Sequence, residues 1–282
     1  IIVEILIAIA AVLANFSIIF LFIKVRHLRR STANSYITSL AMADFLVGLF
    51  GVPSAILTEI GLPTNFRLCL ISTSVLLLIC TVSIFSLLIV TLDRYMAVLH
   101  PFKYRRVYRR GWVKKIVVVI GWMFGCLLGC FPLIGWNLGE PKYKRCFFAE
   151  VIDPAYLAFL FWTTILLPSF IMAYAYVRIY LEIRKQVRGG LIKERERERE
   201  RERERGRERE RERQIFRSLA LIVTTFLLSW LPLYLTNTVS LHCPCCSKPK
   251  NMLLFFICLS HLNSVWNPLM YAWGTKEYRQ AF

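Results

Sequence analysis

Asp93-Arg94-Tyr95 closes one long apolar stretch, and Asn267-Pro268-Leu269-Met270-Tyr271 lies near the end of another. Between them a third apolar stretch carries Ser229-Trp230-Leu231-Pro232. Charged, kinked and aromatic residues at the ends and middles of membrane-length segments, in this order, answer no need of a soluble fold. Reading outward, apolar runs recur along the whole chain. Crossing about 30 Å of hydrocarbon takes roughly 20 apolar residues. Seven runs reach that length, at about 1–24, 33–57, 67–92, 113–134, 154–181, 215–239 and 250–273. Lipid offers no partner to a free peptide group, so each run is expected to be a helix. The seven spans and their short loops use up the 282 residues, which makes one all-α membrane domain, 1–282.

The charge is placed as well as large. The chain carries +18, yet the Arg-Glu repeat at 194–213 holds ten Arg against nine Glu, a net of +1. The remaining +17 gathers after span 1 (Lys24, Arg26, Arg29, Arg30), between spans 3 and 4 (Lys103, Arg105, Arg106, Arg109, Arg110, Lys114, Lys115) and after span 5 (Arg184, Lys185, Arg188). The alternate loops hold fewer cations. Positive charge collects on the cytoplasmic side, so the N-terminus is expected outside the cell and the C-terminus in the cytoplasm of a multi-pass plasma-membrane protein. These cations rim a membrane domain and form no groove, which argues against nucleic acid as a partner. The chain begins inside span 1 and stops at Phe282, so segments are expected beyond both ends. After span 7, Lys276, Tyr278, Arg279 and Phe282 read as a short amphipathic helix 8 on the inner leaflet.

In the Arg-Glu repeat opposite charges meet at i,i+3 and like charges at i,i+4, so the helix-supporting and helix-opposing pairs partly cancel. It reads as a solvated low-complexity loop of the third cytoplasmic connection rather than a charged hairpin extending spans 5 and 6. Asn15-Phe16-Ser17 matches a glycosylation sequon, but it lies in the middle of span 1. Cys126 and Cys130, one turn apart in span 4, read as small packing residues, and Cys80 and Cys258 also sit within spans. Cys69, at the outer end of span 3, and Cys146, in the outer loop before span 5, face an oxidising compartment, where a disulfide is expected. Cys243-Pro244-Cys245-Cys246 in the last outer loop leaves zinc and a small disulfide open; outside the cell the disulfide is favoured, pairing Cys243 with Cys246 and leaving Cys245 over.

Asp44 stands in the middle of span 2. A carboxylate at that depth is costly unless partnered and marks a functional site by default. Pro232, two residues after Trp230, removes a backbone bond and kinks span 6. No His/Cys/Asp metal spacing and no Ser/His pair within the spans suggests an enzyme, and Ser260-His261 are neighbours on different helix azimuths. A transporter or channel would use Asp44 as a relay, but the chain has neither an internal repeat nor a pair of broken helices, and Asp93-Arg94-Tyr95 would go unexplained.

With these motifs in this order, nearly the whole chain resembles the rhodopsin-class G-protein-coupled receptors. The resemblance implies a seven-helix bundle, a heterotrimeric G protein as partner and an extracellular small-molecule ligand. It implies the Cys69–Cys146 bridge. It places an allosteric sodium ion at Asp44, with Ser83, Asn263, Ser264 and Asn267 around it and Trp230 above; a water network without an ion is the alternative. It makes Arg94 the residue that faces the G protein, held at rest by Asp93 and followed by Tyr95. Tyr176 and Tyr271 then steady the open form, Phe226 packs below Trp230, and Pro232 and Pro268 shape spans 6 and 7. Amine receptors carry an acid where this chain has Leu76, and opsins a lysine where it has His261, so neither ligand class is implied.

Within that class the chain is most similar to the adenosine receptors. Glu4 and His261 match a pair that the family sets across the bundle. Leu259-Ser260-His261-Leu262-Asn263-Ser264, Phe131-Pro132-Leu133-Ile134-Gly135-Trp136-Asn137 and the Cys-Pro-x-Cys loop reproduce the family closely. Asn237 matches the asparagine that hydrogen-bonds the adenine base, and Phe148 the phenylalanine that stacks on it. An amide and an aromatic face suit a flat base with donor and acceptor edges. Leu233 and Ile257 match apolar walls, and Ser260 and His261 the groups that hold ribose hydroxyls. Other positions depart from the family. Cys80 stands for a threonine, Ala149 for an acid, Leu160 for an asparagine and Tyr234 for a histidine. The expectation is a receptor for adenosine or a related purine that changes cyclic AMP; the alternative is a class A receptor for a different, non-amine small ligand.

Overall fold

The computed structural model describes residues 1–108, 111–141, 144–193, 221, 224–239, 249–274 and 278. Seven long helical segments organise them. Helix α1 is Ile2–Lys24, and a short helix Arg26–Arg30 turns the chain into α2, which starts at Thr32 and runs through a wide turn at Val47–Gly51 to Glu59. Helix α3 is Phe66–Leu99 and α4 is Gly111–Gly129. Helix α5 runs from Pro154 through a π-helical turn at Phe161–Leu166 to Lys193. Residues 224–239 form α6, and Lys250–Gly274 form α7. Among the described residues, six helices are long and apolar enough to cross a membrane. Among the described residues the only β pairings are two isolated bridges, Gly61 with Cys146 and Asn137 with Ile152.

The helix starts are written locally. The Asn65 side chain accepts the Leu68 N–H at 3.2 Å and caps α3; Asp153 accepts the Ala155 N–H at 2.7 Å, with Pro154 in the first turn of α5. Helix α3 overruns the apolar run 67–92 by about two turns, so Asp93, Arg94 and Tyr95 lie on continuous helix.

Helix α3 is also the most buried of the spans and forms the axis of the bundle. Helix α4 shows how an apolar helix sorts its faces in lipid. Its large side chains Trp112, Ile116, Ile120, Met123, Phe124 and Leu127 are exposed. Its inner stripe is Gly121, Gly125 and Gly129. A methyl group on Gly125 would meet the Val82 backbone at 2.8 Å, and one on Gly129 the Leu78 backbone at 2.2 Å. Without side chains there, α3 and α4 touch backbone to backbone, the close approach that small residues permit in membranes. Thr81 exploits it, donating its hydroxyl to the Gly125 carbonyl at 2.8 Å.

Asn15 is fully buried, with its amide donating to the carbonyls of Ala11 (2.8 Å) and Ser264 (2.9 Å). The sequon is therefore a structural tie between α1 and α7, closed to any glycan. The Cys69–Cys146 disulfide ties the start of α3 to the loop before α5.

Candidate functional site

Three clusters run down the bundle axis. The central one is built on Asp44, which is fully buried. Its Oδ1 accepts from Ser83 Oγ of α3 at 2.5 Å and from Ser264 Oγ of α7 at 3.0 Å; its Oδ2 accepts from Asn267 Nδ2 at 2.8 Å. One carboxylate thus joins α2, α3 and α7, which reduces the cost of holding it away from water. The Oδ1 atoms of the buried Asn263 and Asn267 have no partner among the described residues. Carboxylate, hydroxyl and amide oxygens together are a donor set that suits a hard cation or ordered water.

The second cluster lies at the opposite end of the bundle from Arg94, near the start of α1. His261 Nδ1 of α7 is 3.2 Å from Glu4 Oε1 of α1, and both side chains are buried. The same Glu4 oxygen accepts from the Cys258 thiol at 3.7 Å, a contact that its place within span 7 did not signal. Ser260 spends its hydroxyl on the Ile257 carbonyl at 2.8 Å. Leu76 and Cys80 of α3, Leu160 of α5, and Trp230 and Tyr234 of α6 are also buried. Phe148, Leu233, Asn237 and Ile257 are half-buried. Phe148 opens the short helical turn Phe148–Val151, two residues after the disulfide-held Cys146. Ala149 and Glu150, beside it, are exposed.

The third cluster closes the cytoplasmic end of α3. Arg94 Nη2 donates to Asp93 Oδ2 at 2.8 Å, and the Tyr104 hydroxyl donates to Asp93 Oδ1 at 2.8 Å. Both carboxylate oxygens are engaged. Burial, together with the Asp93 charge beside it, pushes the Tyr104 phenol up to about 12, so it stays a donor. Sequence reading passed over Tyr104; only the turn after Pro101 brings it back to α3. Tyr95 packs its ring near Tyr174 and His100, at 6.4 and 6.2 Å between centroids. Tyr176 and Phe226 are buried, Pro232 is half-buried within α6, and Pro268 is buried within α7. Cys243, Cys246, the 194–213 repeat, the Tyr271 side chain and Lys276, Arg279 and Phe282 of helix 8 lie outside what the structure describes.

Comparison with known proteins agrees with this architecture. The family model described as 7 transmembrane receptor (rhodopsin family) matches residues 14–271. Adenosine receptor A2a of Homo sapiens is 33% identical over 295 residues, covering 99% of this chain and 70% of the relative. Adenosine receptor A2a of Canis lupus familiaris gives the same identity and coverage, and that of Equus caballus is 32% identical over 297 residues, covering 100% of this chain and 70% of the relative.

Proposed function

Because this chain belongs to the rhodopsin family of seven-transmembrane receptors and is related to the adenosine receptors, which are receptors and not enzymes, we propose that it binds adenosine or a related purine outside the cell and activates a heterotrimeric G protein that changes cyclic AMP. The observation that carries the reading is the Glu4–His261 contact across the bundle, in a chain 33% identical to an adenosine receptor. A buried acid facing an imidazole lowers the cost of burying either side chain. In this reading Asn237 pairs with the edge of the base, Phe148 stacks on its face, and Leu233 and Ile257 wall it. The N-terminus is extracellular, in keeping with the disulfide at that end and the Lys and Arg residues at the other.

Asp44, Ser83, Asn263 and Asn267 would hold a sodium ion, which would neutralise the buried carboxylate. Ligand pressure near Trp230 then lets the cytoplasmic part of α6 swing outward about the Pro232 kink. Arg94 leaves Asp93 and opens the cytoplasmic cleft to the G protein.

Cys80, Leu160 and Tyr234 favour one second reading, a receptor of this class for another non-amine ligand. Losing a polar partner costs about 1–3 kcal/mol, and two such losses weaken adenosine by one to several orders of magnitude. The test is cyclic AMP in cells expressing the receptor, with adenosine titrated after adenosine deaminase has cleared the medium. A saturable rise or fall that Asn237→Ala removes is expected. No response with surface expression verified would reject adenosine and leave the second reading.

A further inference from the structure

Helix α7 offers Glu4 two polar side chains one helical turn apart, Cys258 and His261, at i and i+3 on one face. Both contacts fall on one atom. Glu4 Oε1 lies 3.2 Å from His261 Nδ1 and accepts the Cys258 thiol at 3.7 Å. Glu4 and His261 are buried, so little water competes for that oxygen. Ser260, the sequence neighbour of His261, has committed its hydroxyl to the Ile257 carbonyl at 2.8 Å and does not stand in for the thiol. An ionised carboxylate offers only acceptors, so the ring nitrogen that faces it carries a proton. In a neutral imidazole that leaves Nε2 as the acceptor for a ligand donor. Which way His261 presents itself therefore depends on where the Glu4 carboxylate is held.

Glu4 reaches α7 from another helix, on a side chain with several rotatable bonds. With His261 as its one partner the carboxylate would pivot about a single contact. The thiol adds a second contact on the same oxygen, one turn nearer the start of α7, and the two bracket that oxygen along the helix axis. A slide of the carboxylate along α7 parts one of them. We propose that Cys258 is a positioning residue of the ligand pocket: its thiol holds Glu4 Oε1 against His261 and so fixes the ring that meets the ligand. The part played by the ligand rests on the purine reading above; the joint hold of Cys258 and His261 on Glu4 does not.

The test has two arms, both on the receptor in nanodiscs. The first needs no ligand. The infrared S–H stretch of Cys258 is isolated by subtracting the spectrum of Cys258→Ala from that of wild type, and the same subtraction is repeated in the Glu4→Gln background. A thiol that donates to a carboxylate absorbs at lower frequency than one that does not, so the band should rise in Glu4→Gln. The second arm is equilibrium binding of labelled adenosine to wild type, Cys258→Ala, Cys258→Ser, Glu4→Gln and Glu4→Gln with Cys258→Ala. A thiol is a weak donor, so Cys258→Ala should lower affinity by roughly two- to fivefold. Cys258→Ser, which keeps a donor, should restore it, and Cys258→Ala should add nothing once Glu4 is Gln. A band that Glu4→Gln leaves in place would overturn the proposal. So would a Cys258→Ala loss of equal size in both backgrounds, or a Cys258→Ser variant as weak as Cys258→Ala. If wild type binds no adenosine, the purine reading fails and the infrared arm decides this proposal by itself.

Discussion

Placing one methyl group on Gly129 should cost this receptor more stability than any propensity gain returns. An added Cβ would stand 2.2 Å from the Leu78 Cα, 2.5 Å from its nitrogen and 2.6 Å from its Cβ. Carbon atoms in contact sit about 3.5–4.0 Å apart, so the gap must open by more than about 1 Å. The nearest atoms are backbone, which cannot rotate aside as a flexible side chain could. The whole of α4 must therefore move off α3 at this level. Overpacking of this kind costs about 1–3 kcal/mol. Separation also strains the Thr81–Gly125 hydrogen bond one turn away, worth about 1 kcal/mol. Replacing Gly by Ala in a helix returns at most about 1 kcal/mol, and less at the last turn. The net expectation for Gly129→Ala is a loss of about 1–3 kcal/mol, seen as a melting temperature several degrees lower in detergent. Gly51→Ala is the matched control. Its added Cβ would have no neighbour nearer than 3.6 Å, ordinary contact, so it should melt at or slightly above wild type. Equal melting of Gly129→Ala and wild type would refute the backbone-contact account of α3 and α4.

Three further outcomes are expected. Asp44→Asn should abolish any effect of sodium on agonist affinity, measured by agonist competition with and without the salt; persistent modulation would place the ion elsewhere. Tyr104→Phe removes one of the two groups that hold Asp93 and should raise basal nucleotide exchange about fivefold, the equivalent of roughly 1 kcal/mol, while unchanged exchange would make the contact incidental. Because the folded phenol is raised above its ordinary value of 10, that contact contributes fully below pH 10 and is lost toward pH 12, so wild-type basal exchange should show no Tyr104-dependent change between about pH 6 and 9. Glu4→Gln should weaken purine binding by about tenfold or more, with Cys258→Ser near wild type; equal affinity in Glu4→Gln would remove the acid from the site.

Much of the architecture is legible along the chain because partition into lipid is local. Each apolar run reports its own transfer free energy, and each Lys or Arg cluster its own side of the membrane, without knowledge of the neighbours. Asp44 and Glu4 also stand out from sequence, since a lone acid in an apolar run is anomalous wherever it packs. The polar partners are harder. Ser83, Ser264 and Asn267 can be named because they belong to a recognisable pattern, but their division between the two Asp44 oxygens is geometry. Cys258, Tyr104 and the Phe161–Tyr234 stack carry no signal of their own. A thiol, a loop tyrosine and two aromatic residues are ordinary contents of such a chain.

By itself, then, the sequence determined a seven-span receptor of the rhodopsin class, because hydrophobic length, charge bias and helix-terminal motifs act residue by residue. Only the tertiary structure decided which side chains meet. Contact depends on helix azimuth and on how closely two backbones approach, and both are set jointly by partners far apart in sequence. Gly125 and Gly129 are silent as letters in α4 until α3 lies against them; Tyr234 is one more aromatic residue until Phe161 turns inward on the π-helical turn of α5.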